Sequence, residues 1–228
     1  MTAVVLVHGL AHWPFHWASM AAMCPLAWYL RSTGRTVEVV LYDGETDGLD
    51  TIVNRVAEVV RALAGPVSIV GHSYGGVIGR EVAKQEDSVV SVVAIASPLK
   101  GAQLIEWLAE RVPWYFRGNK GYEMISAIDP DAPSGETPCY SVSVGLPGRP
   151  DFDSCVYRHE TEGNAEHVHV DWSEHRVAPL DIRHVPPPAR SSSPARSVSP
   201  TASSNFRVWD AVVGFIETCE RNVAAAFT

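Results

Sequence analysis

The hexapeptide Gly71-His72-Ser73-Tyr74-Gly75-Gly76 constrains the fold of this chain more than any other stretch. It follows a short apolar run, Pro66-Val-Ser-Ile-Val70, that predicts a buried strand. It precedes residues 77–84, which predict a helix with Val77, Ile78 and Val82 on one face. G-x-S-x-G between a strand and a helix is the context of a nucleophile elbow. A serine turned so sharply sits in a strained backbone conformation, so the residues two places to either side must lack side chains. The turn lifts the Ser73 hydroxyl clear of the sheet and sets it at a helix N-terminus, where N–H groups and the helix dipole favour negative charge.

The rest of the chain supplies further strands and helices in alternation. Ala3-Val-Val-Leu-Val7 and Val89-Val-Ser-Val-Val-Ala-Ile95 are continuous apolar runs, as expected of strands buried on both faces of a parallel sheet. Thr36–Leu41 predicts a second strand, Cys139–Val144 an alternating fifth and His167–Val170 a short sixth. Between them lie a helical stretch expected to break near Pro25 and close at Gly34, and a helix over 49–63 with Asp50 placed to cap it. Phe206 to Ile216 predict a last amphipathic helix, capped at Ser204 or Asn205. Such alternation implies a mainly parallel sheet of about six strands with helices on both faces, and a ligand site beyond the carboxyl ends of the strands. His8-Gly9, Ser73, Ser97 and the loop after Val144 all fall there.

Two stretches stand outside that pattern. Residues 102–124 carry Leu104, Ile105, Trp107, Leu108 and Val112, then Trp114-Tyr115-Phe116, and predict an amphipathic helix with an aromatic tail, packed on the core or serving as a lid. Residues 185–204 are rich in proline and serine with few apolar side chains, and are expected to be a disordered loop within a single domain spanning 1–228.

Composition narrows the function classes. A net charge of −8 without any basic cluster excludes nucleic acid as the main partner. No apolar run reaches the roughly 18 residues of a transmembrane helix, so stable membrane insertion is not expected. The N-terminus shows no signal-peptide pattern, which predicts a cytoplasmic protein, or a secreted one whose leader has been removed. Cys24, Cys139, Cys155 and Cys219 follow no metal-ligand spacing and are expected as free, buried thiols; no metal and no cofactor are implied.

A serine hydroxyl needs a base to take its proton and an acid to orient that base. In elbow-bearing folds these follow in the order Ser, Asp or Glu, His. Four of the nine histidines precede Ser73, and His167 and His169 are held within the sixth strand. His175, in the loop beyond that strand, is the expected base, with His159 and His184 as alternatives. The acid belongs in the loop after the fifth strand, where Asp153 is preferred to Asp151 because Asp-Ser-Cys-Val returns at once to apolar packing. Asp129 and Asp131 read as turn residues and Glu174 as a solvated side chain. The oxyanion would be met by the N–H groups of Tyr74 and Leu10, with Gly9 allowing a close turn and His8 bracing the loop.

These motifs resemble those of the α/β-hydrolase superfamily, and within it the small triacylglycerol lipase and esterase group. Val-Leu-Val-His8-Gly9-Leu10 is similar to that group's oxyanion strand, Val-Gly71-His-Ser73-Tyr-Gly75-Gly76 to its elbow, and Ser97-Pro98-Leu-Lys-Gly101 to its turn after the next strand. The resemblance implies a minimal α/β-hydrolase fold that begins at the third strand of the full fold. It implies an esterase or lipase acting on a small-molecule ester or lipid. The frame Ser-Glu-His175-Arg lacks the small residues that the group places near its histidine, and 185–204 has no counterpart there. Trp13, Phe15, Trp17, Trp114 and Phe116 are candidates for the wall of an acyl pocket. Acyl transfer or perhydrolysis by the same triad is an alternative, and a catalytically silent ligand-binding scaffold is another.

Overall fold

The β-branched runs form six strands in the computed structural model, which describes residues 1–10, 16–44, 46–118, 120–128, 135–145, 149, 151, 153, 155–171 and 208–226. They are β1 (Ala3–Val7), β2 (Val37–Val40), β3 (Val67–His72), β4 (Val89–Ile95), β5 (Cys139–Gly145) and β6 (His167–Asp171). The helices are α1 (His16–Ser32), α2 (Leu49–Ala62), α3 (Tyr74–Ala83), α4 (Gln103–Arg111), α5 (Pro113–Phe116), α6 (Lys120–Ser126) and α7 (Val208–Ala226). All strand pairings are parallel, in the order β2-β1-β3-β4-β5-β6. The chain runs outward from β1 to β2, then crosses back to β3 and continues to the other edge. The order therefore reverses between β1 and β3, the switch point beyond whose carboxyl ends open α/β sheets bind their ligands.

Alternate residues of each strand enter two cores. Val4, Leu6, Val70, Val93 and Val142 pack with Leu26 and Leu30 of α1 and Val212, Phe215 and Ile216 of α7. Val5, Val7, Ile69, Val92 and Ala94 pack on the opposite face with Ile52, Val56 and Val60 of α2 and Val77, Ile78 and Val82 of α3. α7 is also tied to the start of the sheet by polar bonds. Glu220 accepts from the Thr2 N–H at 2.8 Å and pairs with the buried Arg35 at 3.2 Å.

Five details differ from the sequence reading. Pro25 lies inside α1 without breaking it. The hydrogen bond it cannot donate would have gone to the carbonyl of Ala21, itself an exposed residue. Asp50 does not cap α2; Gly48 holds the N-cap position with no side-chain bond. The single helix expected over 102–124 is three short ones, because Pro113 starts a new helix after Val112 leaves helical geometry. β5 does not alternate in burial, since every one of its residues is buried. All four cysteines are free, but Cys24 is exposed and Cys155 half-buried. Residues 185–204 and the expected caps Ser204 and Asn205, like Asp129 and Asp131, lie outside the described residues.

Candidate active site

Ser73 stands at the junction of β3 and α3 with φ 53° and ψ −127°, a conformation that non-glycine residues adopt at a cost of about 1–3 kcal/mol. It is also the sole residue from Val67 to Arg80 that is not fully buried. The glycines around it serve close approach. A Cβ on Gly71 would collide with the backbone of Gly75 and Gly76. One on Gly75 would collide with the carbonyl oxygens of Val7 and His8, and one on Gly76 with the Ser97 side chain. The elbow is thus folded tightly on itself, on the end of β1 and on the end of β4.

The loop after β1 lies directly against the serine. A Cβ placed on Gly9 would fall 2.7 Å from Ser73 Cβ and 3.3 Å from Ser73 Oγ. Gly9 is not among the residues of positive φ. The sequence reading gave it a turn; its place here is required by the serine beside it. His8 holds this loop. The Tyr42 N–H donates to His8 Nε2 at 3.4 Å, which leaves Nδ1 to carry the proton and donate to the Gly9 carbonyl at 2.7 Å. The Tyr42 hydroxyl donates to the His8 carbonyl at 2.6 Å, and the two rings stack 4.1 Å apart. Burial raises the Tyr42 phenol well above its ordinary pKa, so it remains a donor.

From the other side, the Ile95 carbonyl at the end of β4 accepts the Ser73 N–H at 2.8 Å. The next residue, Ala96, also has positive φ (48°), and its N–H donates to the Val142 carbonyl of β5. Two strained residues therefore sit at adjacent strand ends. Tyr74, the first residue of α3, is buried, and its hydroxyl donates to the Met124 carbonyl of α6 at 3.1 Å.

Asp153 lies in the loop beyond β5 and is buried, whereas Asp151 is exposed. Asp153 Oδ1 accepts the N–H groups of Cys155 (2.9 Å) and Val156 (2.6 Å), and Asp153 N–H donates back to the Val156 carbonyl. The carboxylate is knitted into a tight turn, as the return to apolar packing predicted. His159 is exposed in a 3-10 turn (Arg158–Glu160) and stacks on Tyr157.

The structure thus brings Ser73, Tyr74 and the Gly9-Leu10 loop together and places Asp153 two strands away. His175, His184, Trp13 and Phe15 lie outside the described residues, as do the side chains of Trp17 in α1 and Phe116 in α5. Trp114 is 74% exposed on α5. Among the described residues no group of three His, Cys, Asp or Glu is placed to hold a metal ion, and no helix is long and apolar enough to cross a membrane. Three contributors were not visible in the sequence reading. Tyr42 lies outside every motif, Ala96 gave no sign of its backbone angle, and Glu160 (described below) has no motif around it.

The sequence profile of the alpha/beta hydrolase family matches residues 4–221. The chain belongs to that family. Its solved fold neighbours include a metagenomic carboxyl esterase, with a TM-score of 0.63 at 15% identity over 97% of this chain and 76% of that one. The mature form of a Bacillus licheniformis lipase aligns with a TM-score of 0.53 at 15% identity, over 77% of this chain and 85% of that one. A monoacylglycerol lipase from Paleococcus ferrophilus gives 0.52 at 15% identity, over 76% and 87%. No curated protein sequence matches the chain significantly. At such identities the neighbours of this α/β hydrolase establish a shared fold. Its six parallel strands and tight elbow agree with the fold expected from sequence.

Proposed function

We propose that this α/β hydrolase is a serine esterase or lipase that cleaves carboxylic esters through an acyl-enzyme on Ser73. The observation that carries the reading is the Ser73 backbone, held at φ 53° in the one residue from Val67 to Arg80 that is not buried. Strain of this kind persists only where the surrounding structure over-determines it, and here it exposes a hydroxyl at a helix N-terminus.

In this mechanism His175 takes the proton of Ser73 as the hydroxyl attacks the ester carbonyl, and Asp153 orients the imidazole and stabilises its charged form. The developing oxyanion is met by the N–H groups of Tyr74 and Leu10. The packing of Gly9 against Ser73 supports that pairing, because it sets the Leu10 backbone beside the nucleophile. His175 then protonates the leaving alkoxide, and water, deprotonated by the same base, releases the acid. The two bonds to Asp153 Oδ1 support its role by fixing the carboxylate within a buried turn. Trp13, Phe15, Trp17, Trp114 and Phe116 would line the acyl path. Esterase and lipase names among the fold neighbours agree with an ester or lipid substrate.

Hydrolysis of p-nitrophenyl esters of increasing chain length tests this. Wild type is expected to turn over at least one ester. Ser73→Ala and His175→Ala each lose at least about a thousandfold in kcat, and Asp153→Asn a similar amount, with KM little changed. A folded wild type inert to every ester would contradict the reading.

A further inference from the structure

Glu160 is fully buried, yet it takes no part in the mechanism above. Its Oε1 accepts the N–H of Gln103, the first residue of α4, at 2.7 Å. Its Oε2 accepts the N–H of Tyr157 at 2.7 Å, and its backbone carbonyl accepts the Lys100 N–H at 3.0 Å. One carboxylate thus joins the loop that carries Asp153 to the helix that follows β4. The far end of the same excursion is held at the elbow by the bond from the Tyr74 hydroxyl to the Met124 carbonyl. The segment α4–α6 is therefore attached at two points, one beside the nucleophile and one on the acid-bearing loop. Between those points its described residues are little buried. Ala109 is the one residue of α4 that is fully buried, and Trp107 and Trp114 are 49% and 74% exposed.

Burial pushes the Glu160 pKa up, against the lowering by the two N–H bonds and by His159. A carboxyl whose pKa is raised on folding ionises less readily in the folded chain, so its ionisation costs stability as the pH rises from the ordinary carboxylate value to the raised one. The two N–H groups that its oxygens accept lie on different segments, so the carboxylate fixes how those segments meet.

We propose that Glu160 is a positioning residue whose carboxylate clamps the N-terminus of α4 to the Asp153 loop, fixes α4–α6 beside Ser73 and thereby sets the range of acyl chains the site accepts. The specificity part rests on Ser73 being the nucleophile; the clamp itself does not.

Gln103 permits a clean test. Gln103→Pro removes the N–H that Glu160 accepts, at the first helical position, where proline is well tolerated. Gln103→Ala keeps that N–H and removes the side-chain contact with His159. Amide exchange over residues 104–111 should be at least about tenfold faster in Gln103→Pro than in Gln103→Ala, with α2 unchanged in both. The ratio of kcat/KM for long-chain over short-chain esters should shift by about tenfold in Gln103→Pro and stay at the wild-type value in Gln103→Ala. A small fluorophosphonate, which needs only an activated serine, should label both at the wild-type rate. Glu160→Gln, which turns an amide NH2 toward one of the two N–H groups, should reproduce the exchange and selectivity changes. Equal exchange over α4 in the proline and alanine variants overturns the clamp, and an unchanged chain-length ratio overturns its role in specificity. A wild type that neither labels nor hydrolyses esters refutes the nucleophile reading and the specificity role together, and the exchange comparison still decides the clamp.

Discussion

Gly9 and Ser73 share one volume: a Cβ on Gly9 would stand 2.7 Å from the Cβ of Ser73, closer than such atoms approach. The glycine is therefore a requirement of the serine beside it, and the loop between them holds the expected second oxyanion donor, Leu10. Gly9→Ala must push that loop off the elbow. The variant is expected to fold, because the contact lies in loops beyond the strand ends rather than within the sheet. It should lose about 10²–10³ in kcat, the usual effect of a missing oxyanion donor, with a smaller change in KM. Steady-state kinetics at full ester saturation check this.

Gly75 and Gly214 should respond to alanine in opposite directions. A Cβ on Gly75 runs into two backbone carbonyls, which cannot move aside, whereas nothing lies within 4 Å of one on Gly214 in α7. Gly75→Ala should destabilise by more than about 3 kcal/mol or abolish folding. Gly214→Ala should stabilise by about 0.5–1 kcal/mol through helix propensity. Urea unfolding curves of the two variants decide both.

Tyr42 is bonded to the site through His8. Tyr42→Phe leaves the buried His8 carbonyl without the 2.6 Å bond and keeps the ring stack. The loss of one buried bond should cost about 1–2 kcal/mol of stability. Because His8 carries the Gly9-Leu10 loop, kcat should fall as well, by about tenfold. A loss of stability with unchanged kcat would show that the loop is held by Gly9 packing alone.

The edge of the sheet titrates far from the ordinary range. His167 bonds Ser141 through Nδ1 (2.7 Å) and Ser143 through Nε2 (2.9 Å), and Ser143 reaches His169 Nδ1 at 2.7 Å. Burial first, then the charges of Arg158, His169 and Lys100 against that of Glu162, lowers the His167 pKa from 6.5 to about 4. The unfolded chain therefore takes up a proton that the folded one refuses. Stability should fall as pH drops from 6.5 to about 4, with no further loss from this group below that. An NMR titration of the His167 imidazole should give a midpoint near 4. A midpoint at the ordinary histidine value would contradict the burial assigned to it.

The strands were legible because buried parallel strands write themselves as unbroken β-branched runs, as in Ala3–Val7 and Val89–Ile95. The elbow was legible because its glycines answer a local steric demand. Pro25 misled because whether a proline breaks a helix depends on whether water can reach the carbonyl it abandons, which is a matter of exposure. β5 misled because Ser141 and Ser143, polar in sequence, are covered by the 153–165 segment and by the histidines of β6. The burial of Asp153 was legible in the return to apolar packing that follows it. Glu160 was not, because its partners Gln103 and Lys100 are joined to it only by the tertiary fold.

The central claim is that Ser73 is an activated nucleophile, and covalent labelling addresses it most directly. The wild-type protein would be treated with a fluorophosphonate, digested, and the modified peptide sequenced by mass spectrometry. The account predicts one phosphonyl adduct per chain, on Ser73, absent from Ser73→Ala and from heat-unfolded wild type. A folded protein that takes no label, or takes it equally well in Ser73→Ala, would contradict it.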